Sequence, residues 1–132
     1  MSIILREPKA QGREYIQVDR SMFQMTSDNN IADRAESYIS KAIKAQDEAQ
    51  LFNSAVLFGT AAKWYERLAT YNRDIPSVAC SANAAASQAR NSAMENALKS
   101  GHSMKDLDAG VSVELARVRT FGSTARGSKL SF

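Results

Sequence analysis

The side chains able to do chemistry are few in this chain, and their spacing does not gather them. His102 is the sole histidine and Cys80 the sole cysteine of 132 residues. That leaves no two-histidine metal site, no histidine relay, no internal disulfide and no cysteine cluster. His102 follows Gly101 at the foot of an expected helix, where a dipole or carbonyl contact explains it. Cys80 falls inside an alanine-rich stretch, where a buried, inert thiol is the ordinary outcome. Asp47 and Glu48 are adjacent and point in different directions on a helix. Asp106 and Asp108 stand two apart in a turn-like segment, with no third carboxylate spaced to complete a cation loop. The stretch GSTARG from Gly122 to Gly127 has glycines, hydroxyls and an arginine. It lacks the preceding strand and the GKS or GKT ending of a phosphate loop. No nucleophile, base and electrostatic partner can be assembled, so no enzymatic activity, cofactor, metal or small-molecule substrate is expected.

Two groups of residues remain as candidates for contact. Phe52, Phe58, Trp64, Tyr65 and Tyr71 fall within twenty residues and are interleaved with Ala55, Val56 and Ala62. That helical spacing points to a core or a protein interface ahead of a stacking platform for single-stranded nucleic acid. Phe52, Phe58, Trp64 and Tyr65, with Phe121, Leu130 and Phe132 as anchors near the end, are the candidate protein interface. The second group is basic. From Ala116 to Phe132 the chain carries Arg117, Arg119, Arg126 and Lys129 and no acidic residue. Such a tail can follow a nucleic acid backbone or an acidic protein groove.

The elements that must position these residues read as helices. Apolar residues make up 44% of the chain, but many are alanines, which bury little surface each. Ile31, Ala35, Tyr38, Ala42, Ala45, Ala49, Phe52, Val56 and Gly59 alternate in steps of four and three, as in a helix lying along another. This predicts one helix from Ile31 to Tyr71, continuous or bent near Gly59–Thr60, with Asn30 as its N-cap and Asp33 completing a capping box. The segment NRDIP, from Asn72 to Pro76, reverses the chain. A second helix runs from about Ser77 to Lys99 and stops at Ser100–Gly101. Its run ACSANAAASQARNSAMENA, from Ala79 to Ala97, places small side chains on nearly every face and lets helix axes approach closely.

Beyond it, Leu107, Val111, Leu115 and Val118 keep a helical spacing that Gly110 weakens, so a short helix is expected over about Ser112–Arg119. The expected fold is all-α: a long antiparallel helical hairpin, a short third helix, and extended N- and C-terminal arms. The divisions are an N-terminal arm over residues 1–30, the hairpin over 31–101, the short helix over 102–119 and an extended basic tail over 120–132.

The net charge of +3, from 17 basic and 14 acidic groups, favours no partner class strongly. No stretch is long and apolar enough for a signal sequence or a membrane span, since Ile3–Leu5 and Ala55–Phe58 are both brief. A chain of this description is expected in a virion or the cytoplasm, the host cytoplasm if it is viral. The function expected is that of a structural or assembly subunit of a large complex, such as a virus or phage particle. Its partners would be copies of itself or other subunits. A helical adaptor or chaperone of a secretion or regulatory system is the first alternative. A nucleic-acid-binding protein using the basic tail is the second.

Overall fold

A computed structural model describes the backbone of residues 15–126 and the side chains as far as residue 117. After a 3₁₀ turn at Arg20–Met22 come four long helices: α1 (Thr26–Asp47), α2 (Leu51–Tyr71), α3 (Pro76–Lys99) and α4 (Met104–Arg126). Together they pack as a bundle. The expected hairpin with a short third helix is therefore corrected, and each difference has a local cause.

The helix expected from Ile31 to Tyr71 is two helices, because the chain reverses at Glu48–Gln50. Gln50 N–H donates to the Ala45 carbonyl at 2.8 Å and Ala49 N–H to the Gln46 carbonyl at 3.0 Å. These are the paired bonds of a Schellman ending, and they put Ala49 at φ 61°, a left-handed position normally held by glycine. Gly59, the expected bend, sits inside α2. At the start of α1, the TSDNN segment is helical from Thr26, so Asn30 is not the cap. Met25 N–H instead donates to the Asp28 carboxylate at 3.4 Å. At the other end, Ser103 opens α4 with a capping box. Its Oγ accepts from Asp106 N–H at 3.1 Å, and its own N–H donates to Asp106 Oδ2 at 3.3 Å. The fourth helix thus starts well before Ser112 and continues through Thr120–Arg126, where an extended tail was expected.

The left-handed alanine gives a direct check on the first correction. An L-residue at such a φ costs about 1–2 kcal/mol that glycine avoids, and Ala49 is exposed, so replacing it loses no packing. Ala49→Gly should raise stability by about 1 kcal/mol, read as a higher urea midpoint. An unchanged or lower midpoint would mean that the two helices are not joined in this way.

α2 is the central element. Ser54 Oγ donates to the Ala42 carbonyl at 2.8 Å, and Asn72 donates to Asp28 at 3.1 Å, so α1 runs antiparallel to α2. Asn96 meets Ser54, and Arg90 meets Glu66, so α3 is antiparallel as well. α3 turns its small face inward, with Val78, Ala82, Ala85, Ala89, Ala93 and Ala97 all buried against larger residues such as Phe58, Tyr65 and Leu68. α3 ends in a second Schellman motif, with Gly101 at φ 82° and His102 N–H donating to the Ala97 carbonyl at 3.0 Å. α4 then runs parallel to α2.

The crossing of α4 over α2 is tight and reciprocal. A Cβ on Gly59 would stand 2.6 Å from Val111 Cγ2, and one on Gly110 would stand 2.7 Å from Val56 Cγ2. Gly110, which weakens the helix in isolation, is the residue that lets the helices touch. Residues 15–19, which form no regular element, are tied to α3 by their backbone. Tyr15 stacks on Phe58 with ring centroids 5.6 Å apart, and Ile16 N–H donates to Gln88 Oε1 at 2.7 Å. Asp19 N–H donates to Ser81 Oγ at 3.1 Å. Residues 1–14 of the expected arm, and residues 127–132, lie outside the described residues.

Candidate functional site

Several interior polar groups hold helices together, whereas buried Thr60 donates to the Val56 carbonyl within α2. Asp28 and Asn72, 2% and 5% exposed, tie the start of α1 to the end of α2. Asn96 Nδ2 donates to Gln46 Oε1 at 2.8 Å and to Ser54 Oγ at 3.2 Å, so α1, α2 and α3 share one buried polar junction. Ser92 and the Tyr15 hydroxyl, 3.5 Å apart, fix the N-terminal segment to α3. A buried polar group costs free energy unless it is partnered, so these bonds select one register for each helix.

The aromatic candidates are spread through this body. Phe58 and Tyr65 are fully inside, and burial pushes the Tyr65 hydroxyl well above the usual tyrosine range. Trp64 is 4% exposed and lies between two arginines, with the Arg34 guanidinium 5.0 Å and that of Arg67 6.0 Å from its ring centroid. These cation–π contacts seal the ring beneath charged side chains. Phe52 is half-buried and stacks on His102 with centroids 3.8 Å apart. His102 Nδ1 also lies 3.1 Å from Ser100 Oγ, so the sole histidine closes the α3–α4 turn. Phe121 falls on α4, but its side chain is outside the described residues, as are Leu130 and Phe132 entirely.

α4 is anchored where it passes α1 and α2. The Tyr38 hydroxyl donates to Glu114 Oε2 at 3.0 Å; burial and this bond push the hydroxyl up to about 12. Arg117, the first of the basic candidates, lies 3.5 Å from Glu114 with its side chain 70% exposed. Arg119 and Arg126 are helical positions of α4 with side chains outside the described residues, and Lys129 is outside altogether. Beside Leu115, a shallow groove of about 320 Å³ is lined by Lys63, Trp64, Arg67 and Tyr71. Among the described residues no His/Cys/Asp/Glu cluster could hold a metal ion. No described helix is long and apolar enough to cross a membrane. Cys80 is exposed on α3, where the sequence suggested a buried thiol.

The surface that sequence reasoning missed is the outward side of α4. Leu107 and Val111 face the bundle, whereas Ala109, Ser112, Val113 and Ala116 are exposed. Val113 is 61% exposed. Steps of three and four mark this stripe in the sequence, but only the full length of α4 shows that it is one continuous face. Comparison with protein-family models, with curated proteins and with solved structures finds no match for this chain.

Proposed function

We propose that this protein is a structural or assembly subunit of a larger protein complex, with a virus or phage particle as one such setting. The observation that carries this reading is the use made of the buried polar groups. Asp28 with Asn72, Gln46 with Ser54 and Asn96, and Tyr15 with Ser92 each link separate segments. Small-molecule chemistry needs polar groups converging on a concave pocket. Groups devoted to helix register produce a rigid body instead, and rigidity lowers the entropic cost of ordering a subunit in an assembly.

The test is the mass of the full chain in solution. Sedimentation over a range of concentrations should show species heavier than the 14.4 kDa chain, and deletion of Thr120–Phe132 should reduce them. A full chain that stays monomeric at every concentration would overturn the reading.

A further inference from the structure

We propose that the groove between α2 and α4, lined by Lys63, Arg67, Thr70, Tyr71 and Leu115, binds single-stranded nucleic acid, with a base on the Tyr71 ring and phosphates on the cations around it. This goes beyond the assembly reading and does not depend on it. The charge of the groove is the first reason. Lys63 and Arg67 stand one turn apart on α2, and Glu66 is the one acid among the described lining residues. Glu66 is already held by Arg90 of α3, and Lys63 Nζ lies 3.9 Å from it. From α1, Arg34 reaches the ring of Trp64, which lines the same groove. Four cations thus gather about one carboxylate. At the margins the charges cancel. Arg73 and Asp74 are neighbours in the turn after α2, and Arg117 lies against Glu114. On α1, Asp33 and Glu36 share Arg20, while Lys41 lies over the Tyr38 ring. What remains is a positive groove, which attracts a polyanion.

The second reason is an exposed aromatic ring among these cations. Tyr71, at the end of α2, is 58% exposed, and its hydroxyl accepts from Arg67 at 3.5 Å. An acidic protein segment would engage the cations and leave this ring unused. A single strand uses both, because its phosphates meet the cations while its bases stack on an aromatic face whatever their sequence. Trp64 acts through its neighbours. Its ring holds the guanidinium groups of Arg34 and Arg67 by cation–π contact, so less side-chain freedom is lost when they meet phosphate.

The groove is shallow, at about 320 Å³, which suits a base laid against a ring better than an enclosed ligand. α4 carries the positive surface onward, since from Ala116 to Phe132 the sequence holds four basic residues and no acid. Stacking and phosphate contact read no base sequence. The expected dissociation constant is roughly 1–100 μM at physiological salt, falling as salt is lowered.

The experiment titrates the full chain into a fluorescently labelled oligothymidylate, with polyglutamate as the comparison polyanion. Tyr71→Ala should raise the dissociation constant by about tenfold, whereas Tyr71→Phe, which keeps the ring, should change it by less than about twofold. Lys63→Gln should lower the slope of log affinity against log salt by about 0.7, and Lys63→Gln with Arg67→Gln by about 1.4. Trp64 is the sole tryptophan and lies under Arg67, so its emission should change as the groove fills. Circular dichroism reports whether each variant keeps its helices. Lys63 and Tyr71 are exposed, so their variants carry the test even if Arg67→Gln unfolds the chain. If Tyr71→Ala binds as tightly as the native chain and Trp64 emission stays constant, the contact lies on the basic C-terminal stretch and the groove assignment is overturned. Equal affinity for polyglutamate would make this a face for acidic protein and overturn it as well, as would no oligothymidylate binding at low salt.

Discussion

Gly59→Leu should detach α4 from the bundle and lower stability by about 3–5 kcal/mol, the larger part of what burying two aliphatic side chains supplies. The reason is the distance at the crossing. A Cβ alone would meet Val111 Cγ2 at 2.6 Å and Leu107 Cδ1 at 3.7 Å, and a β-branched side chain in a helix has little freedom to rotate away. Leucine cannot fit without displacing α4, and displacement exposes Leu107 and Val111, each now 5% exposed. Gly59→Ala gives a finer test, because two terms oppose. The alanine gains about 1 kcal/mol of helix propensity and loses about 1–3 kcal/mol to overpacking. Trimming the neighbour with Val111→Ala should relieve the overpacking, so the two substitutions should couple by about 1 kcal/mol or more in a double-mutant cycle. Urea denaturation reads the energies, and amide exchange along α4 reads the detachment. A Gly59→Leu protein with an unchanged midpoint would mean that the helices do not cross there.

The same crossing explains what the sequence concealed. Gly110 reads as a helix weakener because propensity scales describe an isolated helix; its partner Val56 is far away in sequence and cannot be seen from Gly110. The capping box Ser103–Asp106 was the available sign that α4 begins at Met104, although Asp is a less usual third member than Glu. The division between α1 and α2 left weaker traces. Ala45, Ala49 and Phe52 continue the three–four spacing across the turn, so periodicity runs on while the backbone reverses. The left-handed position at Ala49 carries no glycine to announce it. In contrast, the end of α3 was legible, because Ser100–Gly101 is a conventional helix stop. The alanine-rich inner face of α3 was legible too, since alanine at that density has few uses besides close packing. For the contact candidates, spacing placed Phe58 and Tyr65 on a buried face. It could not distinguish a face buried within the chain from one buried against a partner. Trp64 shows the difficulty, because the arginines that cover it come from two separate helices. The outward stripe of α4 became readable only once the helix was known to be long.

Asn72→Leu should cost about 2–4 kcal/mol, because it leaves a buried carboxylate poorly satisfied. Asn72 Nδ2 donates to Asp28 Oδ1 at 3.1 Å and to the Leu68 carbonyl at 3.0 Å. Without it, Asp28 keeps the Met25 N–H at 3.4 Å, a long bond, in a position 2% exposed. The α1 N-terminus favours a negative group, and that effect offsets only part of the loss. The loss should depend on the carboxylate. In an Asp28→Ala background, Asn72→Leu removes an amide whose main charged partner is already absent, so it should cost much less. The double variant should then be more stable than the sum of the single losses by about 1–2 kcal/mol. For a chain of this size, each kcal/mol lost corresponds to about 3–5 °C in Tm, so thermal denaturation resolves the difference. Strict additivity of the two losses would mean that Asp28 and Asn72 do not bear on each other. In that case the clamp joining the start of α1 to the end of α2, and the rigidity argued from it, would have to be abandoned.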